Sequence, residues 1–193
     1  MDADHGFRRI TESTVHRGHV WSVVVADFEA PDGTTFRRDI VRSPGAVGVL
    51  PLIFDAEGNP SVVLVSQYRP PHDEIVVEIP AGMRDVDHEA PAEVARRELI
   101  EEAGLSAGHI EPLLEMYPSP GMSDSVTSIF LATECVPTET DRHGPEEEHM
   151  EVLHVPLVDA LTMVDRGEIR DSKSVVALLL AARRLDVADD GAH

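Results

Sequence analysis

Cysteine is almost absent from this chain. Only Cys135 occurs in its 193 residues, so no internal disulfide can form. A single thiol set in an apolar run reads as an inert buried side chain. Positive charge is also scarce: 16 lysines and arginines stand against 36 aspartates and glutamates, a formal net charge of −20. Nucleic-acid backbones and anionic membrane surfaces both attract basic proteins, so neither is an expected partner. No apolar run approaches the roughly 20 residues that a membrane-spanning helix needs. The opening residues, MDADHGFRRITES, lack the apolar core of a secretory signal. The expected location is the cytoplasm. No internal repeat and no low-complexity segment is present, and the length suits one compact domain or one with a small appendage.

What the chain does have is a dense acidic stretch over residues 82–105, reading GMRDVDHEAPAEVARRELIEEAGL. As a helix, it places Glu98, Glu101 and Glu102 at i, i+3 and i+4, on one face. Ala92, Ala95, Leu99 and Ala103 fall on another face, suited to packing on a sheet. Pro91 suits the first turn and Gly104 the position just past the end. Three like charges on one face repel, and a hard divalent cation offsets that repulsion. Mg²⁺ prefers carboxylate oxygens, keeps several waters and bridges to substrate phosphates. Arg97, four residues before Glu101, can hold that carboxylate in place. Taken alone, the Arg-Glu-x-x-Glu-Glu run fits a solvated acidic helix equally well.

The longer pattern resembles the signature of the Nudix hydrolases. That signature runs from a glycine to a glutamate, then after seven residues to Arg-Glu-apolar-x-Glu-Glu-x-Gly-apolar. Gly82, Glu89, Arg97, Glu98, Leu99, Glu101, Glu102, Gly104 and Leu105 occupy its positions. One departure stands out: six residues, not five, separate Gly82 from Glu89. The loop before the helix is therefore longer, and the metal-binding end is intact.

Around this helix the chain reads as strands and turns. Residues 8–16, 19–28 and 34–41 suggest a small antiparallel sheet with a Pro31-Asp32-Gly33 turn. Ser43-Pro44-Gly45 suggests a boundary, giving an N-terminal β-sheet over residues 1–43 and a second region over 44–193. Strands are expected at 46–54, 61–68, 73–79, 110–116, 126–135 and 152–155, and helices at 158–166 and 174–185. Residues 137–148 read as a loop. The fold class is α/β. The resemblance implies a Nudix-type α/β/α sandwich with a mixed sheet, preceded by the small antiparallel sheet.

Beyond the signature, the chain is similar to the ADP-ribose pyrophosphatase branch of that family. Pro120, within Ser119-Pro120-Gly121, lies fifteen residues past Leu105, where that branch typically carries a proline. The branch also carries an N-terminal sheet, exchanged between the subunits of a homodimer. Gln67-Tyr68-Arg69 and Glu78-Ile79-Pro80-Ala81-Gly82 resemble its substrate loop and the entry to the signature. The resemblance implies metal ligation by Glu98, Glu101, Glu102 and the carbonyl of Ala81, with Mg²⁺ as the cation and Mn²⁺ as the second candidate. Arg97 would support the carboxylates, and Glu101 would also take part in catalysis. Arg69 would contact the diphosphate. Arg38 and Asp39 resemble an arginine–acid pair at the adenosine end, or else an exposed charged edge strand. His19 and Trp21 are candidates to stack on adenine or to pack. Met83 would touch the ribose or pack in the core, and Pro120 would line the substrate site. The general base would be one of Glu146, Glu147 and Glu148, in the late loop. A glutamate that often follows the Ser-Pro-Gly is replaced here by Met122-Ser123-Asp124-Ser125, so that contact is altered or moved to Asp124.

The implied activity is metal-dependent hydrolysis of ADP-ribose to AMP and ribose 5-phosphate. Another nucleoside diphosphate-sugar, such as a GDP-sugar, is the alternative within the branch. A non-catalytic ADP-ribose sensor is the alternative outside enzymes. Such a protein would have lost metal carboxylates or gained a DNA-binding extension. Here the carboxylates are all present, and the net charge of −20 opposes DNA binding.

Overall fold

The computed structural model describes residues 5–86, 88–140 and 149–187. It divides into two compact units, Met1–Gly45 with Tyr117–Val126, and Ala46–Met116 with Thr127–His193.

The first unit is built on β1 (Arg8–Arg17), β2 (Ser22–Glu29) and β3 (Thr35–Arg42), antiparallel and in the order β1-β2-β3. The turn between β2 and β3 follows from its residues. Gly33 takes a left-handed φ of 83°, and the Asp32 carboxylate accepts the Thr34 N–H at 2.9 Å. Strand alternation sorts the side chains by face. Val24, Ala26 and Phe28 lie opposite Ile40, Arg38 and Phe36 in register. Val24 and Ala26 are buried, and Phe28 stacks on Phe36 with ring centroids 5.4 Å apart. β1 is exposed along its whole length, with Ile10 and Val15 outward, and Trp21 is 53% exposed. The 117–126 segment joins this sheet through Val41, whose N–H donates to the Met122 carbonyl at 2.8 Å.

The second unit contains β4 (Ala46–Phe54), β5 (Pro60–Arg69), β6 (Glu74–Glu78), β7 (Ala81–Met83), α1 (Pro91–Ala103), β8 (Leu105–Met116), β9 (Thr127–Pro137) and β10 (Glu151–Pro156). Two helices, α2 (Leu157–Asp165) and α3 (Ser172–Arg184), complete it. The sheet runs β10-β5-β4-β9-β8, with β6 on β5 and β7 on β4. β4 and β9 are parallel and the other pairs antiparallel, so the sheet is mixed. Both faces are covered, which is why β4, β5 and β9 are apolar almost throughout. Val47, Val49, Val63, Phe130 and Ala132 meet Val94, Ala95 and Leu99 of α1. Their neighbours Leu50, Leu52, Val62, Leu64, Ile129 and Leu131 meet Leu157 and Leu161 of α2 and Leu178 and Ala181 of α3. Each such buried valine, leucine, isoleucine or phenylalanine side chain stabilises the fold by about 1.5–3 kcal/mol.

α1 has the ends its sequence calls for. Pro91 opens it, and Gly104 closes it in a left-handed conformation with φ 63°. Two features differ from the sequence expectation. β8 begins at Leu105, directly after the helix, because Leu105 is buried and Ser106 and Ala107 pair with Val136 and Cys135. Ala81–Met83 is a short strand, held by Gly48, Val47 and Ala46 of β4. β4 pairs with β5 only from Leu52 to Phe54. Towards the start of β4 the two strands part, β4 pairing with β7 and β5 with β6. Residues 78–83 thus sit at an opening in the sheet.

Candidate active site

The acidic face of α1 turns inward, towards this opening. Glu98 and Glu102 are only 6% and 4% exposed. The Ala81 N–H donates to Glu102 Oε2 at 2.8 Å. Glu98 lies directly on Gly82, where a Cβ would stand 1.9 Å from Glu98 Oε1. Only a glycine lets the carboxylate approach the backbone this closely. Arg97 gathers the rest: its Nη1 is 2.7 Å from Glu98 Oε1 and 2.9 Å from Glu101 Oε2. Its Nε is 3.5 Å from Glu89 Oε1, an ion pair. Burial works against the Arg97 charge, but Glu98, Glu89 and Glu101 outweigh it and raise its pKa above the ordinary arginine value. Arg97 is therefore a fixed cation.

Among the described residues, no group of three acidic, histidine or cysteine side chains stands ready as a metal site. The Arg97 guanidinium is bound to both Glu98 and Glu101. The donor chemistry nevertheless fits a hard divalent cation. It consists of carboxylate oxygens, with the Ala81 backbone at hand. Glu89 Oε2 is buried with no hydrogen-bond partner among the described residues, and Gly82 provides the cradle for Glu98.

A second cluster lies on β5, β6 and the start of α3. Arg69 donates to Glu78 through both Nε (2.6 Å) and Nη2 (2.8 Å). Glu78 is buried, and its Oε2 also receives Lys173 Nζ. Burial pushes the Glu78 carboxyl up, but Arg69 and Lys173 bring it below the usual glutamate range. These residues line a cavity of about 410 Å³ with His72, Glu74 and Arg170. Met83, half-buried on β7, pairs with Ala46. Sequence reasoning overlooked Glu78 and Lys173 as partners of Arg69. Gln67, which with Tyr68 and Arg69 resembles the substrate loop of the branch, is buried, and its Nε2 has no partner among the described residues.

In the first unit, Arg38 and Pro120 line one cavity of about 430 Å³ with Phe7, Phe28 and Phe36. The Arg38 guanidinium lies 4.9 Å from the Phe36 ring centroid. Asp39 does not join them. It pairs in register with Val25, on the opposite face, where Arg37 and Asp27 form a 2.7 Å ion pair. His19 and Trp21, just before β2, are exposed. Asp124 holds Arg42 at 2.9 Å and the Ser43 N–H at 3.0 Å. Glu146, Glu147 and Glu148 lie outside the described residues.

Residues 43–178 match the NUDIX domain. The chain belongs to the NUDIX family. It is 36% identical over 171 residues to a protein of Bacillus subtilis (strain 168) named ADP-ribose pyrophosphatase, covering 89% of this chain and 90% of that one. It is 37% identical over 125 residues to a GDP-mannose pyrophosphatase of Klebsiella pneumoniae subsp. pneumoniae, covering 61% and 62%. A crystal structure titled ADP compounds hydrolase shares the fold, with a TM-score of 0.79 and 23% identity over 96% of this chain and 97% of that one. The α1 carboxylates, Arg97, Gly82 and Ala81 all lie within the matched residues. Enzymes of this family work with divalent metals. Among the described residues, no helix is long and apolar enough to cross a membrane.

Proposed function

We propose that this Nudix hydrolase cleaves the diphosphate of ADP-ribose to AMP and ribose 5-phosphate. The observation that carries the substrate is the match to the Bacillus subtilis ADP-ribose pyrophosphatase. It spans 171 residues, well beyond the 43–178 domain. The cavity of Phe7, Phe28, Phe36 and Arg38 supports it further, since aromatic faces and a guanidinium are the chemistry that receives a nucleobase. His19 and Trp21 remain candidates to stack on adenine, Asp39 to contact the adenosine end and Met83 to meet the ribose.

Glu98, Glu101, Glu102 and the Ala81 carbonyl would hold Mg²⁺, with Mn²⁺ as the second candidate. Bound there, the cation would lower the pKa of water and neutralise diphosphate oxygens. The chain's own residues do the rest. Arg97 fixes Glu98 and Glu101, and the Ala81 N–H fixes Glu102. Arg69 donates to the phosphoryl oxygens as charge develops on them. The oxygen of water bonds to one phosphorus, and the bridging oxygen leaves with the other phosphate. One of Glu146, Glu147 and Glu148 takes the proton of that water.

The expected result is Mg²⁺-dependent release of AMP, with kcat/KM for ADP-ribose above that for GDP-mannose, ADP-glucose and NADH. Product identification on this panel checks it. A GDP-sugar preferred by about tenfold, some 1.4 kcal/mol of discrimination, would overturn the substrate and favour the reading suggested by the Klebsiella relative.

The chain is also proposed to act as a homodimer. The exposed β1 strand with Ile10 and Val15, and Trp21 beside it, offer apolar surface for a second copy. Sedimentation at micromolar concentration should give twice the chain mass, and a monomer there would end this reading.

A further inference from the structure

The chain has one lysine: of its 16 basic residues, all but Lys173 are arginine. Lys173 lies in the first turn of α3, and its side chain is only 14% exposed. Its Nζ meets Glu78 Oε2 and lies 3.0 Å from Asp171 Oδ2. The Glu78 carboxylate, 4% exposed, holds Arg69 through both oxygens at the same time. One buried carboxylate therefore joins two cations from distant parts of the chain.

The surroundings hold the ammonium at this point. Asp171 caps α3, accepting the Ser174 N–H at 3.0 Å and the Ser174 hydroxyl at 2.6 Å. Ser174, fully buried, accepts the Ile79 N–H at 2.8 Å. The lysine stem passes Gly48 at the opening between β4 and β5. A Cβ at Gly48 would stand 3.6 Å from Lys173 Cδ and 2.8 Å from Ile79 Cδ1. The compact ammonium of lysine meets Glu78 and Asp171 as a point charge, without the fixed fork that a guanidinium would bring.

A guanidinium locked on one carboxylate is nearly neutral to an approaching anion. Lys173 draws on the same carboxylate, so it offsets part of the Glu78 charge that would otherwise cancel Arg69. Without Lys173, Glu78 and the nearby Asp171 set two negative charges against the one positive charge of Arg69. We propose that Lys173 is a positioning residue for diphosphate binding. By sharing Glu78 it fixes the plane of the Arg69 guanidinium and leaves the Arg69 charge available to an anionic substrate. This rests on the reading of Arg69 as a diphosphate contact.

The test is a double-mutant cycle on kcat/KM, using whichever diphosphate compound the wild type turns over, ADP-ribose first. Lys173→Met keeps the stem, and Lys173→Gln is the second variant if the first unfolds. Lys173→Met and Arg69→Gln should each lose at least about tenfold, and the double variant no more than the worse single one, because the two act as a unit. A purely structural lysine would instead multiply the losses and lower the unfolding temperature, which overturns the proposal. Lys173→Met within about twofold of wild type, beside a large Arg69→Gln loss, overturns it while leaving the reading of Arg69 intact. An unaffected Arg69→Gln enzyme overturns both. Protein grown with ¹³C-lysine gives a side-chain signal from this one residue, independent of turnover. That signal should move in Glu78→Gln. An unmoved signal overturns the link.

Discussion

Glu102→Gln is expected to give a folded protein that has lost at least about two orders of magnitude in kcat, or some 2.7 kcal/mol of transition-state stabilisation. The reasoning separates shape from charge. Glu102 is buried, and its Oε2 accepts the Ala81 N–H at 2.8 Å. A glutamine oxygen accepts the same hydrogen bond, so β7 keeps its place beside β4. The negative charge alone is lost, from a set of carboxylates suited to a hard cation. The unfolding temperature should stay close to wild type, or rise, because a like charge leaves the face shared with Glu98 and Glu101. Steady-state kinetics at saturating Mg²⁺, with thermal unfolding in parallel, check this. Near-native turnover would remove Glu102 from the metal-binding role.

The parts of this fold legible in sequence are those whose residues act locally. β4 was expected at its observed bounds, because residues 46–54 are apolar on both faces between a Pro-Gly boundary and an acidic turn. α1 was legible from a proline, a glycine and the spacing of its alanines and leucine. β7 was not, because three residues show no period; they form a strand only because β4 supplies the partner at Ala46–Gly48. The start of β8 was hidden for a similar reason, since Ser106 and Ala107 carry no strand signal and are held by Val136 and Cys135.

Within the site, the glutamates could be read from helical spacing and the signature resemblance. The Glu78–Lys173 contact joins residues that no local pattern connects. Its one trace in the sequence is compositional, a single lysine in a chain that otherwise uses arginine. Arg38 and Asp39 carry the opposite lesson. Adjacent residues of a strand face opposite ways, so alternation alone could have separated them, as the register with Ala26 and Val25 does.

Gly82→Ala should damage activity far more than folding. The usual reason for a required glycine, a left-handed backbone, does not apply, since Gly82 is not among the residues with positive φ. The constraint is space. A Cβ would stand 1.9 Å from Glu98 Oε1, 2.2 Å from Cδ and 2.6 Å from Oε2. All three atoms belong to the end of one flexible side chain, so the clash is relieved by swinging the carboxylate away rather than by moving backbone. The unfolding temperature should therefore change little. The swing takes Glu98 from its place on the 81–82 backbone and alters its 2.7 Å contact with Arg97 Nη1, which also holds Glu101. Losses of about 10–100-fold in kcat/KM are expected, as for residues that orient metal ligands, with a matching rise in the Mg²⁺ concentration for half-maximal rate. Adding Gly82→Ala to Glu98→Gln should cost little more than Glu98→Gln alone, because both changes remove the same carboxylate from the same place. Wild-type kinetics in the single alanine variant would mean that the close seat of Glu98 on Gly82 has no part in the chemistry.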